Sequence, residues 1–159
     1  MVTLRRAAWA DAWRLWRWRN DPTTRAMMRA TAPVGLAEHV RWLRAALRGA
    51  GCALYVAEAS AGGWSRRRVG TGRIDFVRHL RTDDLLAELS VTVAPAWRGC
   101  GFAPLLVVAL AGEAARLGCQ RSVATIRAGN EASLRAFARA GFVRARTDDP
   151  AWVTMERRC

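Results

Sequence analysis

From Ala94 to Gly112 the chain reads APAWRGCGFAPLLVVALAG. A polar turn with two glycines, Gly99 and Gly101, opens directly into an apolar helix predicted over Phe102–Leu117 and closed by Gly118. Pro104 falls in the first turn of that helix, where its missing N–H costs nothing. Just upstream, AELSVTV (Ala87–Val93) alternates as a strand does. Bare backbone at a helix start is an anion cradle, because the unpaired N–H groups and the helix dipole both favour negative charge. Glycine lets the backbone approach closely and take positive φ. Arg98 adds a guanidinium fork that matches phosphate oxygens. The stretch therefore reads as a pyrophosphate site after a strand, although an ordinary strand-to-helix turn uses glycine too. The Walker form is absent, since no G-K-[S/T] follows.

The flanking sequence supplies the rest of a mixed α/β domain. VTLRRA (Val2–Ala7) is a first strand, and Ala10–Asn20 is helical in pattern until Asn20-Asp21-Pro22 stops it. A second helix is predicted over Leu36–Arg48 before Gly49, followed by strands at Cys52–Ala59, Val69–Val77 and Ala87–Val93. SAGGWSRRR and HLRTDDL are the loops between these strands. After the apolar helix come a strand at Ser122–Ile126, a helix at Asn130–Gly141 and a final strand pair in FVRAR and AWVTMER. Meander first and crossovers later is the expected order, in a single domain spanning 1–159.

Composition narrows the class. The net charge of +13 comes with 26 basic residues, all Arg and spread along the chain. That pattern fits a compositional habit better than a dedicated nucleic-acid tract, so no specific nucleic-acid partner is expected. The longest apolar run, Phe102–Ala111, is far short of the roughly 20 residues that span a bilayer. The N-terminus lacks the pattern of a signal peptide, so a cytoplasmic protein without a membrane partner is expected. Cys52, Cys100, Cys119 and Cys159 form no C-x-x-C pair, and with two histidines they make no zinc set, so no metal is expected.

Arg98-x-x-Gly101-x-Ala103 resembles the R/Q-x-x-G-x-G/A signature of the GNAT superfamily of N-acetyltransferases, which grips the pyrophosphate of acetyl-CoA. NEASLRAFARAGF (Asn130–Phe142) resembles that family's second block, N-x-x-S-x-x-x-Y/F-x-x-x-G-F. The resemblance implies a mostly antiparallel central sheet flanked by helices, with acetyl-CoA as acetyl donor. It implies cofactor contacts from Arg98, Gly99, Cys100, Gly101, Phe102 and Ala103, with Cys100 giving backbone alone. Asn130 and Ser133 would lie along the pantetheine and Phe137 near the thiol. The strand before the turn would offer backbone at Val91 and Val93, with an oxyanion donor near Val91. WRWRNDPTTRAMM (Trp16–Met28) and EHVRWL (Glu38–Leu43) resemble a branch with a W-R-N-D-P-x-x-R block and a later H-x-x-W. That branch includes amino-sugar nucleotide N-acetyltransferases of the pseudaminic acid pathway. It suggests a small, nucleotide-linked amine as acceptor, met by Trp18, Arg19, Asn20, Arg25 and His39. Protein N-termini are the alternative acceptor, and a basic binding module of this fold without catalysis is a third reading. Monomer and homodimer both remain open.

Acetyl transfer to an amine needs a base, an oxyanion donor and a leaving thiolate. Glu88 is the one charge in Leu86–Val93 and shares a face with Leu86, Ser90 and Thr92. It is the first candidate base, Asp75 the second, and His39 and His79 trail. Phe137 stands where many relatives carry Tyr, so the acid could be Tyr55, a water or nothing at all. Trp9, Trp13 and Trp16 recur at helical spacing and are expected in the core, with Trp18 off that stripe.

Overall fold

In the computed structural model, which describes residues 1–49, 51–60, 66–78 and 84–159, one seven-stranded sheet organises the chain. The strands are β1 (Val2–Arg6), β2 (Cys52–Ser60), β3 (Arg66–Arg78), β4 (Leu85–Val93), β5 (Arg121–Arg127), β6 (Val143–Arg144) and β7 (Trp152–Arg158). Their spatial order is β1-β2-β3-β4-β5-β7-β6. Every neighbouring pair is antiparallel except β4 and β5. The helices are α1 (Ala12–Asn20), α2 (Pro22–Ala26), α3 (Leu36–Leu47), α4 (Phe102–Arg116) and α5 (Glu131–Arg139). The predicted element order holds, with α2 as an addition. Strand β3 starts at Arg66, not Val69, because Arg66–Arg68 pair with β2. Residues 61–65 and 79–83 of the two expected loops, His79 among them, lie outside the described residues.

Helices cover both faces. Helices α4 and α5 pack Val107, Leu110, Leu134 and Phe137 on Ala53, Ile74, Ala87 and Leu89. Glycine permits this approach on β3: a Cβ at Gly72 would stand 3.0 Å from both δ-carbons of Leu110. On the other face, Leu15, Trp18 and Leu43 close over Leu54 and Val56. This reverses the expected tryptophan stripe. Trp9 and Trp13 are half exposed, at 50% and 58%, while Trp18 is buried. The reason is local: Trp9–Asp11 form a separate 3-10 turn, so the phase of α1 is set by Leu15 and Trp18. That turn is pinned by Asp11, whose carboxylate takes both terminal nitrogens of Arg5 at 2.7 Å and the Ala8 N–H at 2.9 Å. The Arg5 guanidinium holds the buried Asp11 carboxyl below its ordinary pKa.

The decisive feature is a fork. Strands β4 and β5 run parallel and pair at Leu86–Arg121, Ala87–Ser122 and Glu88–Val123. Beyond Glu88 they no longer pair, though β4 continues to Val93 and β5 to Arg127. The facing backbone edge of β4, from Leu89 to Val93, is left without a strand partner on that side. An unpaired edge of this kind offers hydrogen bonds to whatever enters the gap.

Candidate functional site

Strand β4 ends in the glycine turn. Pro95–Trp97 make a short 3-10 turn, Arg98 is extended, and Gly99 and Gly101 have φ of 76° and 77°. Both are left-handed, a conformation that costs a residue with a Cβ about 1–2 kcal/mol. Gly101 caps α4 with no side-chain bond. No heavy atom lies within 4 Å of where a Cβ on Gly99 or Gly101 would stand, so the turn faces open space. The first amides of α4 at Phe102 and Ala103 have no intrahelical partner by the geometry of a helix start. The exposed Cys100 adds no side chain to this cradle: its thiol turns back on the Arg98 carbonyl at 3.6 Å.

Arg98 is not a free fork. Its Nη2 donates to Asp21 Oδ2 at 2.5 Å and to Thr24 Oγ1 at 2.8 Å. Asp21 also accepts the Thr24 N–H at 2.9 Å as the N-cap of α2. The Arg98 guanidinium holds the Asp21 carboxyl below its ordinary pKa. The cofactor-side turn is thus bolted to the W-R-N-D-P block, 77 residues away in sequence.

The rest of that block wires one loop. Asn20 brackets the Val34 backbone, donating to its carbonyl at 2.9 Å and accepting its N–H at 2.7 Å. Arg19 donates to Ala30 O at 2.9 Å, and Arg25 to Thr31 O at 2.9 Å and Asn20 O at 3.2 Å. Arg127 of β5 reaches Met28 O at 3.0 Å. These bonds fold residues 27–35 over a cavity of ≈ 260 Å³ between α1, α3 and the sheet. Trp18, Trp42, Met28 and Leu54 give it apolar walls, while Ser90 and Thr92 of β4 form part of its lining. Of the five acceptor candidates, Trp18, Arg19 and His39 line the cavity. Asn20 turns its amide to the Val34 backbone, and Arg25 turns Nε and Nη1 to the Asn20 and Thr31 carbonyls. Among the described residues Arg19 Nη1 is buried without a hydrogen-bond partner, and burial lowers this guanidinium's pKa. His39 Nε2 lies 3.0 Å from Ala12 O, and burial lowers its pKa; since a carbonyl can only accept, that ring nitrogen carries the hydrogen.

The two carboxylate candidates are cross-strand neighbours, Asp75 on β3 opposite Glu88 on β4. Asp75 is held by Arg73 at 2.7 Å. Glu88 sits at the apex of the fork, half-buried, and accepts from Thr125 Oγ1 of β5 at 3.2 Å. It lies two residues from Ser90 on the same face, next to the cavity lining. Tyr55 is corrected as an acid candidate. It points to the opposite face, buried under α4, and donates to Glu113 at 3.1 Å. Burial, then the Glu113 bond, push its pKa up to about 12. Phe137 packs edge-on to Phe142 in the core, ring centroids 5.0 Å apart. Asn130 caps α5 by accepting the Ser133 N–H at 3.2 Å.

The profile of the acetyltransferase (GNAT) domain matches residues 1–143. This chain belongs to the GNAT acetyltransferase family. Solved GNAT-like structures superpose over nearly its whole length. Ribosomal-protein-alanine N-acetyltransferase from Brucella melitensis is 25% identical with a TM-score of 0.78, and 99% of each chain is covered. Spermidine N-acetyltransferase from Vibrio cholerae, solved with CoA and spermine, is 15% identical with a TM-score of 0.80, covering 99% of this chain and 95% of that one. A domain from Methanocaldococcus jannaschii is 17% identical with a TM-score of 0.84, covering 100% and 99%. No curated protein sequence matches the chain.

The GNAT domain is an acetyltransferase of acetyl-CoA, and its site fits that donor: an open glycine turn with positive φ, an arginine at its edge, and an unpaired strand edge leading away from it. Among the described residues, no group of three His, Cys, Asp or Glu side chains is placed to hold a metal, and no helix is long and apolar enough to cross a membrane. Reading the sequence missed Asp21 as the partner of Arg98 and Thr125 as the partner of Glu88. The D-P step signalled the cap at Asp21, but nothing local signals a partner so distant.

Proposed function

We propose that this GNAT enzyme transfers the acetyl group of acetyl-CoA to the primary amine of a small molecule. One observation carries the reading: the fork after Glu88, the open turn at Gly99–Ala103 and the ≈ 260 Å³ cavity all adjoin the same strand, β4. Arg98 and the amides of Gly99, Gly101, Phe102 and Ala103 hold the donor's pyrophosphate. Backbone at Val91 and Val93, with Asn130 and Ser133 across the fork, lies along the pantetheine. Val91 offers an N–H to charge that develops on the acetyl oxygen, while Phe137, expected near the thiol, is buried in the core and backs that side from within. Glu88 takes the proton of the attacking amine, directly or through a water, with Asp75 beside it as reserve. The thiolate leaves unassisted, because a thiol pKa near about 8.5 makes it a tolerable leaving group.

The acceptor enters the cavity against Trp18, Arg19 and His39. A volume of ≈ 260 Å³ lies below the roughly 300–1,000 Å³ of drug-sized ligand sites, so it takes one ring or short chain. Within the branch suggested by the N-terminal block, the amine-bearing sugar of an amino-sugar nucleotide is the part that fits. The unpartnered Arg19 Nη1 favours an acceptor that carries an acidic group. Identity to the Brucella enzyme supports a peptide amino terminus as the second reading. A mass-spectrometric screen with acetyl-CoA tests both, using an amino-sugar nucleotide, its free amino sugar, a polyamine and short peptides. Acetylation of the sugar nucleotide ahead of the free sugar and the peptides is the expected result. Turnover of peptides alone would replace the acceptor and keep the transferase; no acetylated product from any class would remove the reading. Glu88→Gln should lower kcat/KM by about 10²-fold with the fold intact, the scale of losing a general base.

A further inference from the structure

We infer that Asp21 is a positioning residue for the donor: it holds Arg98 in place for the pyrophosphate, and so joins the acceptor-side segment to the donor turn. The inference rests on the proposed role of the Gly99–Ala103 turn. Its basis is a closed set of bonds. Asp21 Oδ2 accepts both from Arg98 Nη2 and from the Thr24 amide, and Thr24 Oγ1 accepts from the same Nη2. One terminal nitrogen is fixed by two oxygens, and the side chain remains 33% exposed. Among the described residues, Nε and Nη1 of Arg98 have no hydrogen-bond acceptor, so single N–H donors on either side of the fixed nitrogen are left for an anion.

An arginine at the edge of an exposed glycine turn has many rotamers, and holding a long side chain costs entropy each time a ligand binds. Asp21 settles that cost on folding. Its own position is secured twice, by the rigid N-cap geometry of α2 and by Pro22 at the first helical position. The half-buried pair, 33% and 19% exposed, is less screened than a surface ion pair. Trp18 and Arg19 of the cavity lie in the last turn of α1, directly before Asp21, so donor and acceptor sites share one support.

Binding of CoA measured by calorimetry tests this on the intact chain, in a cycle of wild type, Asp21→Asn, Arg98→Ala and the double variant. Asn is a good N-cap, so Asp21→Asn keeps α2 capped while removing the charge that orients the guanidinium. The expected result is a Kd about tenfold weaker for Asp21→Asn, the scale of one charge-assisted hydrogen bond. In the Arg98→Ala background the same change should have no further effect. Thr24→Val should weaken CoA in the same direction. Equal losses from Asp21→Asn with and without Arg98 would mean a merely structural part for Asp21 and overturn the inference. So would tighter CoA binding by Asp21→Asn, which would make Asp21 a competitor of the pyrophosphate. If Arg98→Ala itself leaves CoA affinity unchanged, the donor turn has been misread and both fall together.

Discussion

Adding one methyl group to β3 tests how closely α4, and with it the donor turn, is seated. A Cβ on Gly70 would stand 2.4 Å from Thr92 O, 3.2 Å from Val93 Cα and 3.0 Å from Leu106 Cδ1. Two of these neighbours are β4 backbone and cannot rotate aside. A Cβ on Gly72 would meet the ends of one side chain, both Leu110 δ-carbons at 3.0 Å, with Leu106 Cδ2 at 3.5 Å. Leucine ends can yield a few tenths of an ångström by a small χ change. Overpacking costs about 1–3 kcal/mol, against a gain of roughly 0.5–1 kcal/mol for replacing a strand glycine by alanine. Gly72→Ala should therefore destabilise by about 1 kcal/mol, and Gly70→Ala by about 3 kcal/mol or more, because β3 and β4 must part. For a chain of this size these correspond to Tm losses of roughly 2–4 °C and 6–12 °C. Urea unfolding with linear extrapolation reads both. Because Gly70 pairs with Val93 at the end of β4, Gly70→Ala should also weaken CoA binding. Gly70→Ala within about 1 kcal/mol of wild type, or Gly72→Ala costing more than Gly70→Ala, would refute this seating of α4.

Tyr55→Phe should leave kcat within about twofold, because the hydroxyl faces Glu113 under α4, and should cost about 1 kcal/mol of stability for the lost bond; a large loss of kcat would return Tyr55 to the chemistry. Folding keeps His39 neutral below its ordinary value of 6.5, so the unfolded chain takes up its proton first on acidification. Stability from this group is complete above that value and is lost as pH falls through it; Asp11 and Asp21, both depressed, give way only further down, from about pH 4. Urea midpoints should thus drop between about pH 7.5 and pH 5.5 in wild type and much less in His39→Gln, and parallel curves would contradict the buried neutral ring.

Much of this architecture could be read from residue order alone. Apolar alternation located β4, and glycine at 99, 101, 118 and 141 located the turns, all four now at positive φ. The capping side chain of Asn130 was legible because an N-cap is a local device. What stayed hidden depends on distant strands or on helix phase. Spacing suggested that Trp9, Trp13 and Trp16 were core, but the 3-10 turn at Trp9–Asp11 resets the phase and buries Trp18 instead. The resemblance implied free backbone near Val91, but where the fork opens, after Glu88, depends on where β5 stops pairing. The W-R-N-D-P-x-x-R block looked like an acceptor surface because Arg, Asn and Trp bind phosphates and rings. Trp18 and Arg19 do line the cavity, but most of the block's side-chain hydrogen bonds hold the 27–35 loop and Arg98, a use that is visible only once the loop is closed.

The central claim is that the turn from Arg98 to Ala103 receives the pyrophosphate of acetyl-CoA. A crystal structure of the enzyme with CoA bound tests it most directly. The expected result is pyrophosphate oxygens within hydrogen-bond distance of Arg98 and of the amides among Gly99, Gly101, Phe102 and Ala103, with Asp21 still on Arg98 and the pantetheine running into the fork between β4 and β5. A pyrophosphate seated elsewhere, such as the groove between α1 and Pro95–Ala96 beside Trp13 and Arg17, with the glycine turn left empty, would contradict it.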